Sequence, residues 1–511
     1  MMTLEVEHEY SREDQERRDE AEAYLGTPRL GARHWAQVEG WGMAVSAMSY
    51  LFRPTDTEGV REVFELARRQ GVTVALRGGG RSYGDASINR AGIVLDLTAM
   101  DRILDWNPET GIVEVEPGVN IRKLWQHIIA DGWWPPVVSG TMYTTMAGCA
   151  AMNVHGKNNY RLGTFGEHIL EFDLLTPKGE LLTCSPRENS DLYHGAISGF
   201  GMLGCMIRLR IQMKKVHSGL LWVEAFNTKS IGEMIDEIDK RAGDADYLVG
   251  WIDCTARGKA LGRGIIHAAW YRPEGEDRRP ADHFNVKAQE LPDRILGVFP
   301  KSLMWIFLKP FISNWGMRCV NLAKYYAGFL QPQHARYLQS HAGFHFLLDY
   351  VPNWKLAYRP GGLIQYQSFV PKDKAEETFT RLIQMAQEAG IPPYLGVFKK
   401  HRPDPFLLTH AVDGYSLALD FPVTKRNRKA LWKLCARMDD VVLEGGGRFY
   451  FAKDATLRPE VVQRFFPDDN VQKFLKLKHQ CDPDNVLQTN LSRRLFGEAF
   501  EDAFGGAGPS E

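Results

Sequence analysis

Residues 72–85, VTVALRGGGRSYGD, hold the first group in this sequence that could do chemistry. Gly78, Gly79, Gly80 and Gly84 follow a short apolar run. Glycine accepts positive φ and has no Cβ, so several amides of such a loop can turn toward one anion, most often a diphosphate. A doubly wound dinucleotide fingerprint is excluded, because the sixth place from Gly78 is Tyr83 and a further strand follows. A P-loop is excluded because Gly84 precedes Asp85 rather than a lysine. A glycine-rich turn with no ligand fits the same residues equally well. A second group lies at 140–159, where 144–151 are nearly all small. Small side chains let a backbone approach a flat partner, either a neighbouring helix or a cofactor ring. His155, Lys157, Asn158 and Asn159 come next, and polar groups crowded behind such a run point to a lined cavity more than to a core. A further glycine turn, Gly445-Gly446-Gly447, leads into a strand ending at Lys453.

The elements that must position these groups follow from periodicity. Residues 72–76 read as a buried strand. Ahead of them Thr55 and Glu58 have capping-box spacing, Val60, Val63, Phe64 and Ala67 share a helical face, and Gly71 ends that helix. Strands are expected at 92–97 and 112–116. Asn120 caps a helix striped by Ile121, Leu124, Trp125, Ile128 and Ile129 and closed at Gly132. A hairpin at 174–183 and a strand at 206–213 complete a first part ending near Lys214-Lys215. In the second part Trp251 sits on a strand, further strands are expected at 363–370, 394–398 and 415–421, and a helix at 376–388. Residues 295–330 are aromatic and apolar with scattered Lys and Arg. They read either as core helix or as an amphipathic patch lying on a membrane or lipid.

A chain of 511 residues exceeds one core, so two or more domains are expected. A net charge of -1 gives no support to a nucleic-acid surface. Seven cysteines without a C-x-x-C pair point to free thiols in a reducing compartment, and no metal site is expected. Residues 1–20 are densely charged and lack the apolar core of a secretory signal. The nearest approach to a membrane span, 303–312, is short and broken by Lys309 and Pro310. The expected location is cytoplasmic, with peripheral membrane contact as an option left by 295–330.

RGGGRSYGD at 77–85, P-x-x-x-G-T at 136–141, HGKN at 155–158, QYQ at 365–367, Y-x-A-K-D at 450–454 and CDP at 481–483 occur together in this order. With them the chain resembles the vanillyl-alcohol-oxidase (PCMH-type) FAD-dependent oxidoreductases over residues 41–495. The resemblance implies an α+β fold, in which a PCMH-type FAD-binding domain receives an inserted α+β substrate domain built on an antiparallel sheet. On that reading 1–34 is a charged extension, 35–218 the FAD-binding domain, 219–446 the substrate-binding domain and 447–511 a segment completing the site. The resemblance also implies Arg77, Gly78, Gly79, Gly80, Arg81, Ser82, Tyr83, Gly84 and Asp85 around the FAD diphosphate. Gly140, Thr145, Gly148, Met152, Asn153, Val154 and His155 would lie along the flavin, with Met206 and Tyr450 nearby. Some members attach the flavin through a histidine of the glycine loop. Arg81 stands at that place here, so FAD is expected to be non-covalent.

The reaction so implied is oxidation of a secondary sugar hydroxyl to a ketone, on a polyprenyl-phosphate-linked pentose at the ribose 2-hydroxyl. An alditol or aldonolactone oxidase acting on a free polyol is the alternative, and a catalytically silent flavin-fold binding protein is the alternative from another class. Lys453 is the expected group on the reacting hydroxyl, as a base if burial lowers its pKa and as a charged stabiliser if not. His155 and Lys157 match catalytic positions. Trp251, His345, Gln365, Gln367, Lys399 and Ala418 match substrate-binding ones. Ala418 replaces a cysteine, and His345 a tyrosine, of the family's pattern. A partner NAD(P)H-dependent reductase is also implied.

Overall fold

The computed structural model describes residue 30 and residues 34–295, 299–330 and 332–503. The charged extension read at 1–34 falls almost wholly outside them. Four strands come first: β1 (Trp35–Glu39), β2 (Ser46–Phe52), β3 (Val74–Arg77) and β4 (Ile93–Asp96), in the order β1-β2-β4-β3. β2 and β3 run parallel to β4, and β1 is antiparallel to β2. Helix α1 (Thr57–Gln70) carries the chain from β2 to β3, burying Val60, Val63, Phe64 and Ala67 and closing at Gly71 with φ 60°. Its cap is Asp56, which accepts from the Gly59 amide, and not Thr55. Asp and Thr both suit the position, and only the extended backbone of Asp56 selects it. The far end of the chain returns to β3: the Val74 amide donates to Val486 O, and the Gln488 amide to Val74 O.

Strands β5 (Ile103–Asn107), β6 (Ile112–Val115), β7 (Ile169–Leu175), β8 (Leu181–Cys184) and β9 (Cys205–Gln212) form an antiparallel sheet ordered β5-β6-β9-β7-β8. Between β6 and β7 lie α2 (Ile121–Ile128), capped by Asn120, and the short α3 (Met146–Ala151).

The largest sheet is antiparallel throughout. It comprises β10 (Leu220–Thr228), β11 (Tyr247–Ile252), β12 (Gly264–Tyr271), β13 (Arg336–Ser340), β14 (Leu363–Pro371), β15 (Leu395–His401), β16 (Gly414–Pro422) and β17 (Arg448–Phe449). Its order is β13-β10-β12-β11-β15-β16-β14-β17. The stretch before β13 is helical, with α4 (Met304–Leu308) and α5 (Asn314–Ala327), yet Leu303, Phe307 and Trp315 are exposed rather than core. Helices α6 (Lys372–Glu388) and α7 (Arg428–Glu444) follow β14 and β16, and α8 (Asn490–Ala503) ends the described chain. The fold is α+β.

Both faces of the central strands are covered, so β11, β14 and β16 are buried almost end to end. Alternation still sorts the faces. On β14, Tyr366 points to α7 and donates to Asp439 at 3.0 Å, while Gln365 and Gln367 point the other way. Register places Gln365 opposite Asp420, and Gln367 opposite Ala418.

Candidate active site

A cavity of about 600 Å³ lies between the loop after β3 and that second face of the large sheet. One wall is the glycine loop. A Cβ on Gly78 would stand 2.1 Å from Thr145 Oγ1, and one on Gly79 would stand 2.4 Å from Tyr143 O, so only glycine permits the loop to lie this close. Arg77 braces it from behind, donating to Glu39 O, Ser87 O and Ser87 Oγ. The amides of Gly78, Gly79, Gly80, Arg81 and Ser82 find no acceptor among the described residues. Buried Arg81 Nε, Tyr83 OH and Thr145 Oγ1 also stand without partners. Buried polar groups are nearly always satisfied, so a run of bare donors around a loop stripped of side chains marks a place for an acceptor-rich anion.

The opposite wall is built by strand alternation. Trp251 on β11, His267 on β12, Lys399 on β15, Ala418 on β16, and Gln365 and Gln367 on β14 all face the cavity. His155, just beyond α3, meets them from the other side. Lys399 Nζ lies 3.5 Å from His155 Nδ1, and the Gln367 amide lies 3.1 Å from Nε2. Burial, then the charge of Lys399, holds His155 well below the ordinary histidine range. His401 meets it edge-on and His410 at a tilt, at ring distances of 5.0 and 5.4 Å, and burial lowers both.

Three lysines converge here. Burial brings Lys399 down to about 8, and burial with the charge of Lys399 brings Lys157 down to about 7. Lys157 donates to Phe344 O and sits 4.1 Å over that ring. Lys453 Nζ stands 3.9 Å over the Tyr83 ring. Burial lowers its pKa, the charge of Asp420 opposes that, and Lys399 adds to it. Asp420 is buried, which raises its pKa, while Gln365 donates to Oδ1 and Oδ2 has no partner. A buried lysine poised between amine and ammonium can take a proton near neutral pH, and a neighbouring ammonium can stabilise an oxyanion.

Of the residues expected from sequence, Arg77, Gly78, Gly79, Gly80, Arg81, Ser82, Tyr83, Gly140, Thr145, Gly148, Met152, Val154, His155, Lys157, Met206, Trp251, His345, Gln365, Gln367, Lys399, Ala418, Tyr450 and Lys453 line this one cavity. Gly84, Asp85 and Asn153 do not. Gly84 is pressed against Asp454, whose oxygen would stand 1.6 Å from a Cβ. Asp85 pairs with Arg494 at 2.7 Å. Asn153 turns away to donate to Asp404 and accept from the Gly166 amide. Sequence reasoning missed Trp41, Tyr143, His267, Asp349 and Trp354 in the lining, and the two histidines around His155. His267 alone left a signal, as a polar residue breaking an apolar strand.

Residues 48–185 match the family described as FAD binding domain. Across 90% of this chain and 97% of the relative, the sequence is 29% identical to decaprenylphosphoryl-beta-D-ribose oxidase of Mycolicibacterium smegmatis. It is 26% identical to L-gulonolactone oxidase of Bos taurus over 42% of the chain and 47% of that relative. It is 24% identical to cytokinin dehydrogenase 9 of Oryza sativa over 38% of each. The chain is an FAD-dependent oxidoreductase with a PCMH-type FAD-binding domain. The cavity of this flavoprotein fits the cofactor on its own terms. The bare amides of 78–82 with Arg81 Nε and Thr145 Oγ1 suit a diphosphate, and Gly148, Met152 and Tyr450 line a path from there toward His155 and Lys453. Among the described residues no helix is long and apolar enough to cross a membrane.

Proposed function

We propose that the protein oxidises a secondary hydroxyl of a sugar carried on a polyprenyl phosphate, at the ribose 2-position, with non-covalently held FAD. The observation that carries the reading is the meeting of Lys453, Lys399 and a neutral His155 in the cavity that begins at the glycine loop. The substrate class draws on the relative's printed name, and the free attachment draws on Arg81 in a loop without histidine.

When bound, FAD supplies the acceptor for the hydride leaving the carbinol carbon. Lys453, as the amine, takes the hydroxyl proton, and Asp420 favours the ammonium that forms. Lys399 places positive charge at the developing oxyanion, while His155 and Gln367 hold it in position. Trp251, Val397 and Ala418 give that end of the cavity apolar surface that keeps water from the reacting atoms. Ala418 leaves more room, and no thiol, beside Gln367. The second reading, a free aldonolactone or alditol, draws on the L-gulonolactone oxidase likeness.

Anaerobic mixing of the purified flavoprotein with a polyprenyl-phosphate ribose, and separately with free aldonolactones, tests the choice. Bleaching of the flavin band by the lipid-linked sugar alone is the expected result. Bleaching by the free lactones alone would favour the second reading. Acid precipitation should leave FAD in the supernatant.

A further inference from the structure

Between Arg294 and Leu348 the chain carries six Lys and Arg residues and no Asp or Glu, in a protein of net charge -1. The same stretch holds many of the large apolar side chains left in water. Phe307, Trp315 and Leu330 are 55%, 76% and 87% exposed. On α5, Trp315, Leu322 and Tyr326 recur at spacings of seven and four and so share one outward face, with exposed Arg318 alongside and Asn321 and Tyr325 turned inward. Exposed apolar surface gathered in one place marks an interaction site.

This face adjoins the cavity mouth. Beneath it Leu308, Ile312 and Met317 pack in one cluster with Trp41 and Trp354, both of which line the cavity. Lys324 of α5 holds its ammonium 4.3 Å over the ring of Trp251, inside the lining.

We propose that this face docks on the surface of an anionic bilayer and sets the cavity mouth at the membrane–water interface. Charge selects the occupant. Large aromatic and aliphatic side chains interleaved with cations such as Lys309 and Arg318, with Lys301 alone drawn to a carboxylate, Asp293, at 3.6 Å among the described residues, suit the depth at which rings meet headgroups and cations meet lipid phosphates. The docking stands without any substrate. Only its corollary, that a polyprenyl-linked sugar reaches the cavity from the bilayer, rests on the reading above.

The test is co-sedimentation of the full FAD-loaded chain, without substrate, with vesicles of phosphatidylcholine alone or mixed with phosphatidylglycerol. The protein should pellet with the anionic vesicles, stay in solution with the neutral ones, and be released as salt rises. Phe307→Glu with Trp315→Glu, and separately Lys309→Glu with Arg318→Glu, should each weaken binding roughly tenfold or more while the flavin spectrum and melting temperature stay those of the wild type. A chain that ignores anionic vesicles, or variants that bind as well as the wild type, would overturn the proposal. So would a lipid-free dimer that Trp315→Glu dissociates, because a second copy would then own this face. Absence of bleaching by the lipid-linked sugar would strike the substrate reading and leave the docking result intact.

Discussion

Lys453, Lys399 and Lys157 share one cavity, and burial pushes each toward the neutral amine. The rate of flavin reduction should therefore rise with pH as Lys453 sheds its proton, then fall above about 8 as Lys399 loses its charge. Stopped-flow measurement across that range checks the two limbs. Lys453→Met should erase the rising limb and slow reduction roughly 10²- to 10⁴-fold while FAD content stays normal. Lys399→Met should raise the His155 pKa, because it removes a cation that disfavours the imidazolium; imidazole titration by NMR reads the sign. At this scale the sequence was informative where a motif carried the residue. HGKN and Y-x-A-K-D led to His155 and Lys453. His401 and His410 could not be found that way, since they reach His155 from more than two hundred residues away and belong to no local pattern.

The elements that matter most are the glycine loop and the turn bearing Lys453, and α8 ties them together. Arg494 donates to both oxygens of Asp85 at the loop's end, to Asp454 Oδ2 beside Lys453, and to Leu457 O. Removing it leaves two buried carboxylates uncompensated. Arg494→Met should cost about 3 kcal/mol of stability and weaken FAD retention, seen as a lower melting temperature and a lost visible spectrum after gel filtration. Gly79→Ala should preserve the fold better yet lose the cofactor, because the added Cβ meets Tyr143 O and must push the loop off its seat. The loop was legible in sequence as four glycines at the end of an apolar run. Arg494 was not, because a single arginine on a charged helix carries no sign of where its side chain lands. The stretch at 295–330 was ambiguous for the same reason: helical spacing shows a face but not what covers it.

Across the whole molecule, the fold buries several neutral histidines. Burial lowers His267 and His341 to about 4 and His410 to about 3. In the unfolded chain these rings take protons below about 6.5, while in the folded chain they do not, so stability is full above that value and falls as pH drops toward 4. Each should cost roughly 2 kcal/mol at about pH 5, and thermal melts at neutral and acid pH should show the drop even in His155→Gln, which removes only one contributor. The parallel β2-β4-β3 unit, the returning C-terminal segment and the eight-stranded sheet together bring residues from both ends of the chain to one cavity. The most direct measurement of that convergence is anaerobic reduction of the bound flavin by polyprenyl-phosphate ribose in the wild type and in Lys453→Met. Rapid bleaching of the first and a stable yellow spectrum in the second are predicted. Equal bleaching of both, or a wild-type protein that binds FAD and is never bleached by any lipid-linked sugar, would contradict the account.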